Sequence, residues 1–120
     1  MIWETGLEIA IDRANQYLET GADLTFIPYV ETLDEVKTIH RKVKGPISIA
    51  AGMPYNIKNF SIEDQKKQEI ARVSLPVLLI LSSIGSIKQS LNSINEDNMI
   101  KTVNYGLYYP IKDLNTLLKR

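Results

Sequence analysis

An α/β fold with a parallel sheet is the architecture this sequence predicts, and three observations predict it. Short apolar runs of strand length alternate with longer stretches whose apolar residues recur every three or four positions. Glycine or proline punctuates nearly every junction, at Gly21, Pro28, Gly45-Pro46, Gly52 and Pro76. The resulting order is helix, strand, helix, strand, helix, strand, helix, and strands joined through helices pair in parallel with right-handed crossovers. A chain of 120 residues is expected to form one domain. Residues 1–120 therefore read as a single α/β unit, with 95–120 as a helical tail within it.

Each element has its own signal. Residues 4 to 19 predict an amphipathic helix with Thr5 as its cap and Glu8 as the capping-box partner. Leu7, Ala10, Ile11, Ala14, Tyr17 and Leu18 form its inner face. Gly21 ends it, because a left-handed residue costs glycine little. Leu24 to Ile27 is a strand closed by Pro28. Thr32 with Glu35 caps a second helix, whose inner face is Leu33, Val36, Ile39 and Val43. Residues 47 to 51 are too few for a helix with a buried face, and Ile47 and Ile49 favour a strand. A polar loop from Gly52 to Phe60 follows, then a short helix opened by Ser61 with Asp64 and running through Gln68.

Ile70 to Ser74 is the third strand. Residues 77 to 94 are the longest helix, apolar nearly all round in its first half, so it is expected in the core or in an interface. Gly85 within it costs about 1 kcal/mol relative to alanine, which suggests close helix packing there. Met99 to Tyr105 predicts a short helix ended by Gly106. Pro110 opens a last one, Ile111 to Leu118, with Leu114, Leu117 and Leu118 turned inward. Tyr105, Tyr108 and Tyr109 have few basic neighbours, so docking of the tail is favoured over stacking on bases.

Composition narrows the function classes. Lys+Arg and Asp+Glu number 14 each, which gives zero net charge, no basic footprint for nucleic acid and no long-range repulsion between copies. The absence of cysteine excludes disulfides, thiolate nucleophiles and thiolate metal sites. Met-Ile-Trp-Glu at the start has no basic region ahead of an apolar core. The longest apolar run, Leu75 to Leu81 interrupted by Pro76, is far below the roughly 20 residues of a membrane span. The expectation is a soluble, cytoplasmic protein that binds neither nucleic acid nor membrane.

Four segments carry a family resemblance: GLEIAIDRANQYLETGADLTFIP from Gly6, GPISIAAG from Gly45, IARVSLP from Ile70 and YYPIKDLNTLL from Tyr108. In that order and spacing they resemble the isocitrate lyase / phosphoenolpyruvate mutase superfamily, closest to its phosphonomutase-like and methylisocitrate-lyase-like members. The resemblance implies a partial (β/α)8 TIM barrel, roughly strands six to eight with their helices. It further implies that the magnesium-binding carboxylates, the cysteine-containing catalytic loop and the arginine of the fifth strand belong to segments outside this sequence. No cofactor is expected in the isolated chain, although full-length relatives use Mg.

Position by position, lyases of the family place a glutamate where Pro28 stands, and phosphonomutase-like members often have proline. Ser48 stands where many relatives have asparagine, and Arg72 matches an arginine that precedes Val-Ser in the eighth strand. Glu69 and Pro76 stand where glycine is common, and Gln65 where a buried leucine is. The candidate site that follows is an anion held by the amides after Ala51, with Ser48, Gly52, Met53 and Arg72 around it. The plainer alternative, a solvated or ion-paired Arg72, carries more weight.

No catalytic or metal residues are assigned. His40 sits on a helix away from the strand ends. Asp12, Asp23 and Asp34 read as helix surface, strand entry and first turn, and Glu63 and Asp64 suit a helix dipole. Three strands cannot close a barrel, and a parallel sheet has raw edges. The chain is thus expected to be a truncated, non-catalytic relative that assembles as a homo-oligomer, a homodimer, through its open sheet edge or helix 77–94. The alternative is half of a split Mg-dependent lyase or mutase, completed by a separately encoded amino-terminal half and acting on a C–C or P–C bond of a 2-oxo-acid-like substrate.

Overall fold

A computed structural model describes residues 2–119, with side chains described from Gly6 onward. The chain divides into two compact units, Met1–Leu78 and Leu79–Arg120. The first holds α1 (Ile2–Glu19), β1 (Thr25–Ile27), α2 (Leu33–Lys42), β2 (Ile47–Ala50), α3 (Ile62–Lys67) and β3 (Arg72–Ser74). The second holds nearly all of α4 (Leu78–Asn95), then α5 (Ile100–Asn104) and α6 (Ile111–Leu118). The strands form one sheet in the order β1-β2-β3, parallel throughout.

Register divides the sheet into two faces. Ile27, Ile49 and Val73 share one row; Phe26, Ser48 and Arg72 share the next. Side chains of neighbouring rows point to opposite faces. The isoleucine row joins Ile11 and Ala14 of α1 and Val36 and Ile39 of α2 in a single apolar core. On the other face Ser48 is buried, while Phe26 and Arg72 are exposed. Asn15 ties α1 to the end of α2, donating to the Lys42 carbonyl and accepting from the Lys44 amide. Lys42 pairs with Glu8 across the same gap.

Both capping boxes of the first unit form as predicted, Thr32 with Glu35 and Ser61 with Asp64. Four of the helix C-termini share one geometry. After α1, α3, α4 and α5 the chain turns through a left-handed residue, at Gly21, Glu69, Asp97 and Gly106. The amide following each of these residues bonds back to a carbonyl five positions earlier: Ala22 to Tyr17, Ile70 to Gln65, Asn98 to Ser93 and Leu107 to Thr102. Glycine serves at two of these corners, and an acidic residue carries the strain at the other two.

Several expectations need correction. α1 begins at Ile2, so Thr5 lies inside the helix and does not cap it; its side chain falls outside the described ones. Tyr17 is 57% exposed, because it borders a shallow groove along the open edge of β1 instead of packing on the sheet. β1 and β3 are shorter than their apolar runs, since Leu24, Ile70 and Ala71 fall outside the ladder. Gly85 has open space where a side chain would be, so no close packing explains it. Leu114, Leu117, Leu118, Tyr105, Tyr108 and Tyr109 are all exposed rather than turned inward, because no other described element of the second unit packs over them. α4 likewise carries its apolar residues outward rather than into a core of this chain.

Candidate functional site

The candidate site is built on the centre of the sheet. Ser48 sits at the middle of β2 and Arg72 at the start of β3, directly opposite each other in register. Arg72 Nη1 donates to Ser48 Oγ over a long 3.4 Å. The serine is buried, so this contact gives its hydroxyl a partner that the sheet does not. Among the described residues, no carboxylate forms an ion pair with Arg72. Its guanidinium therefore faces solvent with most of its donors free for a carboxylate or phosphoryl oxygen.

The loop after β2 is differently employed. Gly52 adopts φ +67°, and a Cβ there would lie 3.2 Å from Leu78 Cβ, so only glycine fits without displacement. The Ala51 amide donates to the Ser74 carbonyl at 2.8 Å, and the Met53 amide donates to Asn56 Oδ1 at 3.1 Å. Both are committed to the protein itself, so an anion would recruit the Met53 amide only by breaking that bond. Sequence reasoning grouped Ser48, Gly52, Met53 and Arg72; the structure pairs Ser48 with Arg72, whereas the contacts of Gly52 and Met53 run to Leu78 and Asn56.

Asn56 is the residue that sequence reasoning passed over. Fully buried, it donates from Nδ2 to the Val30 carbonyl at 2.8 Å and the Ala50 carbonyl at 2.9 Å while its oxygen receives the Met53 amide. It thus fastens the loop after β2 to the loop after β1. Tyr55 reinforces the tie, its hydroxyl donating to the Pro28 carbonyl at 2.8 Å and its ring lying 4.3 Å from that of Tyr29. Burial, aided by nearby Tyr29 and Glu31, pushes the Tyr55 phenol above its ordinary value, which keeps it a donor. Asn59 adds a bond to the Glu31 carbonyl. The signal available in the sequence was an asparagine two residues after Pro54, a combination that favours a turn with a side-chain bond to nearby backbone.

The other titratable candidates lie elsewhere. His40 stands on α2 and its Nε2 lies 3.9 Å from Glu69, between two helical corners. Asp34 pairs with Lys37, Asp12 accepts from Gln16, Asp23 precedes β1, and Asp64 is held by Ser61. Among the described residues, no group of three acidic or histidine side chains is placed to hold a metal. No helix among them is long and apolar enough to cross a membrane.

The family model described as phosphoenolpyruvate phosphomutase matches residues 2–95. The chain belongs to that family. Among curated relatives of this phosphomutase-family chain, it is 28% identical over 104 residues to 2-methylisocitrate lyase of Aeropyrum pernix, covering 86% of this chain and 33% of the relative. It is 50% identical over 40 residues to the Petal death protein of Dianthus caryophyllus, 33% of this chain and 13% of that one. A Burkholderia cenocepacia crystal structure provisionally assigned as a lyase/mutase superposes with a TM-score of 0.79 at 21% identity, over 95% of this chain and 40% of that one. A second, provisionally assigned as a phosphonomutase, gives 0.61 at 16%, over 75% and 34%. The fold is therefore part of a (β/α)8 barrel, and the chain spans about a third of the length of the lyase it matches.

Proposed function

We propose that this chain is a non-catalytic, assembling member of the phosphomutase family, truncated relative to the lyases, in which α4 joins one copy to another. The supporting observation is the outer stripe of α4. Ile80, Ile84, Ile87, Leu91 and Ile94 recur at spacings of four, three, four and three, and each is 54% to 60% exposed. That spacing is the heptad seam by which two helices interlock knobs into holes, and it is self-complementary. Ser86, Ser90 and Ser93 occupy the less exposed side of the same helix, an inversion of the usual surface pattern. Near-zero net charge sets no barrier to self-association, and the open edges of β1 and β3 are further pairing surfaces. Light scattering is expected to give about twice 13.6 kDa, and Ile84→Glu is expected to return the monomer mass or to unfold the chain. A wild-type monomer at high concentration with cooperative unfolding would overturn the proposal.

A second reading is favoured by the Ser48–Arg72 face. In a completed barrel the row of Phe26, Ser48 and Arg72 would face the interior, and Arg72 would offer a fork of donors to an acidic substrate group. The donors there are hydroxyls, backbone and a guanidinium; these suit an anion and do not fit magnesium, which takes carboxylates and water. Any magnesium chemistry on a C–C or P–C bond would thus depend on carboxylates from a complementing segment. Titration with oxalate, with and without magnesium, tests this reading on the chain alone and after mixing with the early-strand part of the A. pernix relative. Binding that appears only on mixing and weakens in Arg72→Ala would support a split enzyme; no heat in either arm would reject it.

A further inference from the structure

β1 ends the sheet on one side. The peptide groups of successive strand residues point alternately to the two neighbours. The Thr25 amide donates to the Pro46 carbonyl, so Thr25 and Ile27 direct their backbone toward β2. Phe26, between them, directs its N–H and carbonyl outward in the plane of the sheet. Pro28 closes this edge, having no N–H to offer. Two apolar hollows open beside the same edge, on the face that α1 covers. The larger, about 280 Å³, is walled by Leu7, Ala10, Ile27 and Tyr29; the smaller, about 160 Å³, by Ala10, Ala14, Tyr17 and Phe26. They follow one another along the strand, with Ile27 and Pro28 belonging to both. Charge distinguishes their ends. Glu35, whose carboxylate also caps α2, borders the larger, and Arg13 borders the smaller. Among the described residues, Arg13 forms no ion pair.

We propose that this edge receives an extended strand from a different polypeptide, parallel to β1, with small apolar side chains at alternate positions, an acidic residue near its start and a basic one near its end. A peptide backbone is the ligand that matches an outward N–H and carbonyl on one residue, and pockets for alternate side chains give such strand addition its specificity. Side chains two apart on an extended chain point the same way, roughly 6.6 Å from each other, so residues i and i+2 enter successive hollows. An engineered apolar cavity of about 150 Å³ holds benzene, so each hollow accepts a valine-sized side chain. Parallel orientation follows from the fold, because every strand of a (β/α)8 barrel has a parallel neighbour on both sides. That direction sets the start of the added strand near Arg13 and its end near Glu35, which fixes the order of the two charges. The proposal rests on neither the α4 seam nor the Ser48–Arg72 contact.

The test titrates acetyl-Glu-Ser-Val-Thr-Val-Ser-Lys-amide into the full chain and follows the Phe26 amide by NMR and hydrogen exchange. With its threonine beside Phe26, the peptide turns both valines, the glutamate and the lysine toward α1. Saturable shifts are expected, with exchange at Phe26 slowed about tenfold in the bound state. Interchanging Glu and Lys in the peptide is expected to weaken binding about fivefold. Methylating the nitrogen of the second valine, which removes the donor to the Phe26 carbonyl, is expected to weaken it about tenfold. Ala10→Leu, which fills the wall common to both hollows, is expected to do the same. Should Ala10→Leu fail to fold, the N-methylated peptide decides. Four outcomes would each overturn the proposal: no saturable shift, binding indifferent to the N-methyl group, tighter binding of the charge-interchanged peptide, or a Phe26 amide whose protection in the peptide-free chain rises with chain concentration, the mark of a second copy on this edge.

Discussion

The two units of the chain are written in the same amphipathic code and fare differently. In Met1–Leu78, α1 and α2 direct Ile11, Ala14, Val36 and Ile39 onto a parallel sheet, and all four are buried. In Leu79–Arg120, α4, α5 and α6 carry comparable isoleucines and leucines at comparable spacing, yet among the described residues of that unit Ser93 alone is buried. Periodicity states which residues want a partner. It does not state whether the partner lies in the same chain. A sheet gives the first unit a ready apolar platform; the second has only helices.

Paired truncations separate the two units most directly. Ile39→Ala is expected to cost about 2–5 kcal/mol in denaturant unfolding, the range for a buried isoleucine. Leu117→Ala, at an exposed position, is expected to stay within about 0.5 kcal/mol. Equal losses would mean that α6 is covered in solution. Ile84→Glu sharpens the point, because it should alter mass before it alters the melting of the first unit.

A smaller effect is expected at Gln65 in α3. Replacing Gln65 by leucine removes two unsatisfied atoms and should stabilise the chain by about 1–3 kcal/mol. Loss of stability instead would show that the amide has a partner in solution. The helical corners supply the next test. Glu69→Gly relieves a left-handed residue and should gain about 1 kcal/mol, read as a higher urea midpoint with unchanged slope. Gly21→Ala, at φ +102°, should move the midpoint the opposite way.

The smallest effect concerns acid. Bonds from the Ser61 backbone and hydroxyl hold the Asp64 carboxyl below its ordinary 3.8. A depressed folded value means that the contribution is complete above the unfolded value and is lost as pH falls through the folded one. Asp64→Asn should therefore lower stability slightly at neutral pH, where the contribution is complete, and flatten the acid limb below about pH 4, where wild type loses the same contribution. An acid limb identical to wild type would remove Asp64 from the account.

Local features were legible in the residues alone. Thr32–Glu35 and Ser61–Asp64 form their capping boxes because the partners lie three positions apart, a distance that needs no tertiary knowledge. Gly21 and Gly106 mark helix ends for the same reason. The alternation of strands and helices, together with the family resemblance, sufficed for a parallel sheet and a partial barrel. Tertiary structure decided everything that depends on distant neighbours. It set Arg72 across from Ser48 by strand register and committed the Met53 amide to Asn56. It also sealed Gln65 without a partner and left the α4 stripe facing solvent. The physical reason is range: caps and turns are settled within one turn of chain, whereas burial and hydrogen-bond satisfaction depend on what the rest of the molecule brings alongside.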